Sequence, residues 1–464
     1  MGCKALVSAG LGDNVLFPST PGNRYRASLE SYYALDIREI LPSCVFQPRS
    51  THQVSGAIKV LSNLKSVDIA VRGGGHSLDD ASTLLDRMEA NTSPFQVIAS
   101  VGSGSRWSSA LVEVEKYGLS VTAGRVATVG VAGLTLGGGL SFHSGRHGFT
   151  CDGVVNYEVV LADGRVVNAN KTTNPDLFKA LKGGSGNFGI VTRFDFDAFP
   201  AGHLYGGVAS ASWDHKDTII DSFVRMININ EQNPADNHIL VFTYNVTSDS
   251  FTVESILVNV DGLTNSTSFE PLAAVPWLYD MRTKQTYSAM VTSISDKGGD
   301  RDIWFSSRFQ NNRLVIDKAT ELFEALAIEI KADSTSVHRL EYVFQQLPKH
   351  YAQKNPGNNV LRMDTSLTEN SILWQAEAYV ETPEAKERLH KKLAALTAEV
   401  EAYAESINAA TQWRYLNYVD PTQDPLKSYG PENIALMKAV SAKYDPTGFF
   451  QTRVPGGFKI SHVD

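Results

Sequence analysis

The chain has 464 residues, 42% hydrophobic and 20% charged, enough to bury a large core and, at roughly 150 residues per domain, to form two or three domains. A formal net charge of -8 with no basic stripe excludes a general grip on nucleic acid or an anionic membrane surface, because such partners require clustered Lys and Arg. No apolar run approaches the ~18 residues of a membrane span, so neither membrane nor nucleic acid is an expected partner.

The start, "MGCKALVSAGLGDNVLF", lacks a charged region followed by an apolar core, so no secretion signal is expected as written. Residues 51–61 repeat Val54, Ile58 and Leu61 at helical spacing behind Ser50 or Thr51 as the cap. A short buried strand, Ile69 to Val71, then runs into "RGGGHS". A strand from Val97 to Val101 and a helix from Trp107 to about Tyr117 repeat the alternation. From Val126 to Gly148 the chain scatters glycines among small and β-branched residues with no steady period, which suits backbone lying against another object. A hairpin turning at Asp163-Gly164, a helix opening at Pro175 and the strand "FGIVTRFDFDAFP" follow.

Beyond Pro200 amphipathic helices (217–229, 316–328, 383–404) alternate with the strands "HILVFTYNV", "SFTVESILVNV", "TYSAMVTSIS" and "SILWQAEAYV". This predicts an α+β chain whose second domain is an antiparallel sheet covered by helices. The chain closes with an aromatic strand, "WRYLNYVD", an amphipathic helix and an Asp-Pro turn.

Three glycine clusters, "RGGGHS", "VGVAGLTLGGG" and "KGGSGNFG", fall within ~120 residues, and successive bare backbone N–H groups suit phosphate oxygens. None has the Walker form, and none is a G-x-G-x-x-G between strand and helix. No G-x-S-x-G elbow marks a serine hydrolase. His143 and His147 stand four apart, but Gly145 lies between them and no third ligand follows at a fixed offset, so no metal site is expected. His76 ends the first cluster; read alone it is a surface histidine, and read with the other clusters its imidazole can reach a cofactor as a nucleophile. Cys3, Cys44 and Cys151 are too few for a disulfide scaffold and read first as three buried thiols. Against that stand sequons at Asn91, Asn170, Asn245 and Asn265, which hint at a secreted glycoprotein with a Cys3 to Cys44 bridge.

The order and spacing of "VFQPRSTHQVSGAIKVL", "VRGGGHS", "ATVGVAGLTLGGGLSF", "CDGVVNYEVVLADGRVVNAN", "PDLFKALKGGSGNFGIVTRFDF", "YLNYVD" and "YGPENIALMKAVSAKYDPTGFF" resemble the FAD-linked oxidases of the vanillyl-alcohol oxidase superfamily. Within it the chain is similar, over nearly its whole length, to the fungal berberine-bridge-enzyme-like group. The resemblance implies a two-part PCMH-type FAD-binding domain (1–200 with 405–464) and a substrate domain (201–404). It implies FAD held by Arg72, Gly73, Gly74, Gly75 and Ser77, and bonded covalently through His76 to the flavin 8α-methyl. Further FAD contacts implied are Thr128, Val129, Gly130, Gly133, Gly137, Gly138, Gly139, Gly189, Ile190, Val191, Tyr415 and Asn417.

Where many relatives add a cysteinyl flavin link this chain has Val126, implying a single link. Val129 matches the position at which a valine accompanies use of O2. Tyr418 matches a position where some relatives carry a catalytic base, with Tyr415 beside it; an ordinary tyrosine pKa of ~10 requires a neighbouring charge or the flavin itself for that task. Both tyrosines read equally well as core aromatics. Cys3 and Cys44 match a pair often bridged in the family, which supports secretory passage. The connection after the first loop, "LDDASTLLDRMEAN", is shorter than the family's.

The expected activity is oxidation of a small organic substrate, a secondary metabolite or alcohol, by hydride transfer to flavin and reoxidation by O2 to H2O2. The alternatives are an oxidative cyclase or pericyclase, a flavin-dependent dehydrogenase, and a non-catalytic flavin-binding protein.

Overall fold

The structure is a computed structural model and describes residues 1–64, 66–75, 97–296, 298–332 and 336–464. At the N-terminus the strands β1 (Val15–Leu16) and β2 (Val45–Phe46) pair antiparallel, and a Cys3–Cys44 disulfide fastens the Gly2–Leu6 helix next to them. Cys151 is a buried free thiol. The helix Thr51–Leu61 starts where Ser50 accepts a hydrogen bond from the Gln53 N–H at 3.3 Å, and it buries Ala57, Ile58 and Leu61 at the expected spacing.

A five-stranded antiparallel sheet comes next, from β3 (Val97–Gly102), β4 (Leu119–Ser120), β5 (Val154–Val160), β6 (Val166–Asn170) and β7 (Ile190–Pro200). The order is β3-β7-β5-β6, with β4 on the end of β7. The β5–β6 hairpin turns at Asp163-Gly164, where Gly164 takes a φ of +79° that favours glycine.

The second sheet has eight antiparallel strands: β8 (Leu204–Ser212), β9 (Asp236–Asn245), β10 (Ser250–Asn259), β11 (Trp277–Asp280), β12 (Thr283–Gln285), β13 (Arg301–Gln310), β14 (Val337–Leu347) and β15 (Ser371–Val380). They run β11-β8-β10-β9-β14-β15-β13, with β12 pairing β8. Because side chains alternate along a strand, Leu340, Tyr342 and Phe344 of β14 and Ile372, Trp374 and Ala376 of β15 share one face. That face is buried beneath the helices Lys216–Ile229, Arg313–Ala332 and Pro383–Ser406. Gln345 on β14 and Leu373, Gln375 and Glu377 on β15 point the other way, where Leu373 joins the core built on the first sheet.

Four elements differ from the sequence reading. Residues 69–71 form no strand; Ile69 donates one hydrogen bond to the Arg453 carbonyl and finds no ladder. "TYSAMVTSIS" is a helix, Tyr287–Ser293, because Thr286 caps it and Tyr287, Met290 and Val291 bury one face at helical spacing. "WRYLNYVD" ends in a turn, closed by Tyr418 N–H to the Tyr415 carbonyl at 3.0 Å; Arg414 still reaches the β13 edge, donating to the Ser306 carbonyl at 3.0 Å, but Asn417 packs into the space at Gly137 and draws the chain away. Within 126–148 two short helices form, Val131–Leu136 and Ser144–His147, where tertiary contacts outweigh the glycine content.

Candidate functional site

The first two glycine segments meet backbone to backbone. A Cβ on Gly74 would lie 2.3 Å from the Gly130 Cα, and one on Gly130 would lie 2.4 Å from the Gly74 nitrogen. No side chain fits between them, which is the physical reason for glycine at both positions. Gly75 takes a φ of +67° and its carbonyl accepts from the Tyr33 N–H at 3.2 Å. Arg72 folds back beneath this loop: its guanidinium donates to the Ser28 and Ser31 carbonyls at 2.7 and 3.0 Å and stacks on the Tyr32 ring. His76 and Ser77, with the shortened connection that follows, lie outside the described residues.

Beside this junction the wall is open and polar. Among the described residues, a Cβ at Gly133 would meet nothing within 4 Å, and the buried Ser105 and Thr128 hydroxyls have no partner. Ser105 is tied to the same place by its carbonyl, which accepts from the Val131 N–H at 2.9 Å. Val129 is partly buried against the core. Bare backbone, open space and orphaned hydroxyls together fit a ligand rich in hydrogen-bond acceptors, such as a dinucleotide pyrophosphate.

Gly137, Gly138 and Gly139 instead receive protein. The space at Gly137 is filled by Asn417, whose Oδ1 would sit 2.0 Å from an added Cβ, while Tyr415 approaches Gly138. Asn417 donates to the Leu134 carbonyl and to the Tyr415 hydroxyl, both at 3.0 Å. Tyr415 is fully buried and burial raises its phenol pKa, so it stays protonated and acts as a packing post. Gly189, Ile190 and Val191 lie along β5: a Cβ on Gly189 would press on Val159 at 2.5 Å, and the two following residues pair with Val160 and Val159. Thr192, next in line, accepts from the Ser103 N–H at 3.1 Å. His143 and His147 pack on Phe199, His147 stacked at 4.2 Å between centroids.

Tyr418 leaves this packed turn and meets Arg125. The guanidinium Nη2 donates to the Tyr418 hydroxyl at 2.9 Å and also to the Gln345 side-chain oxygen. Gln345 donates to Gln375 at 2.5 Å, and Gln375 to Glu377 at 2.8 Å; Tyr379 donates to the other Glu377 oxygen at 2.5 Å. These residues line the face of the eight-stranded sheet opposite its helices. Glu341, directly across from Glu377 in the ladder, lies 3.0 Å from Arg339 Nε. Burial raises both glutamates above the carboxylate range, and it pushes Asp302, whose oxygens are buried without partners, up to about 7. Tyr33, beside Gly75, lies 6.2 Å from the Trp304 ring and faces the same acids.

Sequence reasoning missed Arg125 and the sheet residues. Arg125 stands one residue before Val126, just outside the glycine-rich stretch, and its charge amid glycine and β-branched residues was the available signal. Gln345, Gln375 and Glu377 occupy inward positions of apolar strands, where a polar side chain is the exception.

Similarity to known proteins gives the class, a flavin-dependent oxidoreductase. Residues 42–170 match a family described as FAD binding domain. The chain is 31% identical to the FAD-dependent monooxygenase drtC of Aspergillus calidoustus, covering 99% of this chain and 90% of that one. It is likewise 31% identical to sdcF of Emericella nidulans, over 99% and 98%. The fold is similar to that of the BBE-like 1 protein of Physcomitrella patens, with a TM-score of 0.72, 19% identity and full coverage of both chains. It is similar also to the glucooligosaccharide oxidase of Acremonium strictum, described with a 6-S-cysteinyl, 8α-N1-histidyl FAD, with a TM-score of 0.70, 20% identity and 98% of each chain covered. The chain belongs to the family of FAD-dependent oxidoreductases that includes these fungal relatives, with an FAD binding domain at residues 42–170. It is an enzyme and its cofactor is FAD.

Proposed function

We propose that this protein oxidises a small organic alcohol or related secondary metabolite, with Tyr418 as the base and FAD attached through His76. The observation that carries the reading is the Arg125 hydrogen bond to Tyr418 at 2.9 Å, because a guanidinium can only donate, so it holds the phenol oxygen as an acceptor and sets a positive charge beside it. FAD held in the cradle would supply the hydride-accepting and O2-reducing chemistry of such an oxidation.

Gly73 to Gly75 and Gly130 to Gly133 would hold the pyrophosphate through backbone N–H groups, with Thr128 and Ser105 supplying hydroxyls. Tyr418 would take the substrate's hydroxyl proton, and Arg125 would hold the resulting charge in place. Asn417 and Tyr415 fix the turn that aims Tyr418. Val129 supports the use of O2, by resemblance. Residues 1–200 with 405–464 serve as the FAD-binding domain and 201–404 as the substrate domain, and the Cys3–Cys44 disulfide and exposed Asn245 and Asn265 sequons support passage through a secretory compartment.

Anaerobic addition of an alcohol and metabolite panel should bleach the flavin band for a substrate, and air should restore it with release of H2O2. Tyr418→Phe should slow bleaching about 10²- to 10⁴-fold; an unchanged rate removes Tyr418 as the base. Acid precipitation should leave yellow colour in the pellet of the wild type and in the supernatant of His76→Ala. The curated relatives' names favour a second reading, a monooxygenase. Incorporation of labelled oxygen from O2 into product would establish it, and a cyclised oxidised product would instead indicate a cyclase.

A further inference from the structure

The Arg125 guanidinium is one end of a longer buried chain. From Tyr418 it runs through Arg125, Gln345 and Gln375 to Glu377, crossing from the motif loop onto β14 and then β15. Arg125, Gln345, Gln375 and Glu377 are all buried, so water does not substitute for a lost partner.

The direction of every bond in this chain is dictated from its ends. Arg125 has only donors, so Gln345 must present its oxygen to it and its NH2 to the next residue. Gln375 in turn presents oxygen to Gln345 and NH2 to Glu377, where an ionised carboxylate accepts. A protonated Glu377 has a hydroxyl to give. It no longer demands an N–H from Gln375, and if that amide turns over, so must Gln345. Two donors would then face each other at Arg125, and the guanidinium would shift against Tyr418.

We infer that Glu377 is a positioning residue for Tyr418: its charge sets the polarity of the Gln375–Gln345 amide pair, which holds Arg125 on the phenol oxygen. This rests on the reading of Tyr418 as the base. The groups facing Glu377 are Tyr379 on its own strand, Glu341 and Arg339 on β14, Asp302 on β13, and Tyr33 from the segment before Gly75. Burial and the Glu341 charge raise its pKa, in agreement with a carboxyl that changes state near neutral pH.

The test is a pH titration of the FAD-loaded enzyme labelled with ¹³Cζ-tyrosine, followed by NMR, with the Tyr418 signal identified by its loss in Tyr418→Phe. In the wild type that signal should shift with a midpoint within roughly pH 6 to 9. Glu377→Gln should abolish the shift, and Glu377→Asp, which keeps the charge, should retain it. Gln345→Met cuts the chain at its middle and should abolish the shift while Glu377 remains, which decides the matter if Glu377→Gln does not fold. A flat wild-type signal, or a shift that persists in Glu377→Gln or Gln345→Met, overturns the relay. Neither result bears on whether Tyr418→Phe slows flavin bleaching, so the base assignment stands or falls separately.

Discussion

The two walls of the candidate site are built by opposite means. On the glycine side, Gly74 and Gly130 bring backbone onto backbone, with the Ser105 and Thr128 hydroxyls buried near them and no partner for either among the described residues. On the sheet side, long polar side chains from β14 and β15 fill the space and pair with one another. One wall therefore works by removing side chains, and the other by placing charges at fixed register. Damage to the first should show as lost cofactor and lost fold, and damage to the second as lost rate in a folded, yellow protein.

The largest effect should come from Gly74→Ala, whose methyl would meet the Gly130 backbone at 2.3 Å with no flexible side chain to yield. Overpacking of this kind costs about 3 kcal/mol or more, so the variant should purify with little flavin and a lowered Tm. Gly133→Ala is its control: among the described residues a Cβ there meets no atom within 4 Å, so thermal stability of the apoprotein should hold while flavin content falls. Equal loss of stability in both would mean that the open space beside Gly133 is not where the ligand lies.

On the sheet side, Arg125→Met should keep the flavin and cut the bleaching rate about 10²-fold, since the phenol loses its charged partner. Stopped-flow reduction with any substrate found in the panel measures this. A variant that loses flavin instead would assign Arg125 to the cradle and blur the distinction between the walls.

A smaller, graded effect should appear with acid. Burial lowers the pKa of both His143 and His238 to about 3, so each is neutral in the folded state and ordinary in the unfolded one. Their stabilisation is present above the unfolded pKa of ~6.5 and is lost as pH falls toward 3, about 2 kcal/mol each by pH 5. Denaturant unfolding of the wild type and of His238→Gln at pH 7 and pH 5 checks it: the substitution should remove about 2 kcal/mol of the stability lost on acidification. Glu341 and Glu377 act in the reverse sense: their raised pKa values stabilise the fold at low pH, and that contribution is lost as pH rises through them.

The glycine wall was legible in the sequence because its signal is local: three clusters, a histidine and the residues between them sit within one stretch. The same reading placed the Thr51–Leu61 helix, the Asp163-Gly164 hairpin and the helix-covered sheet. It misread Thr286 to Ser295, where β-branched residues outweighed a helical period that only burial reveals. It gave "WRYLNYVD" to a strand, although the packing of Asn417 into the Gly137 space forces a turn.

By itself the sequence determined the family, the cofactor and the glycine segments proposed to hold it, since glycine patterns and motif order are properties of neighbouring residues. Tertiary structure alone decided which charges stand together. Arg125 and Gln345 are 220 positions apart and Arg125 and Tyr418 293 apart, yet strand register and loop packing bring them within one hydrogen bond. No local pattern encodes such a meeting, because the free energy that makes it comes from burying two sheets and their helices and not from the residues that meet.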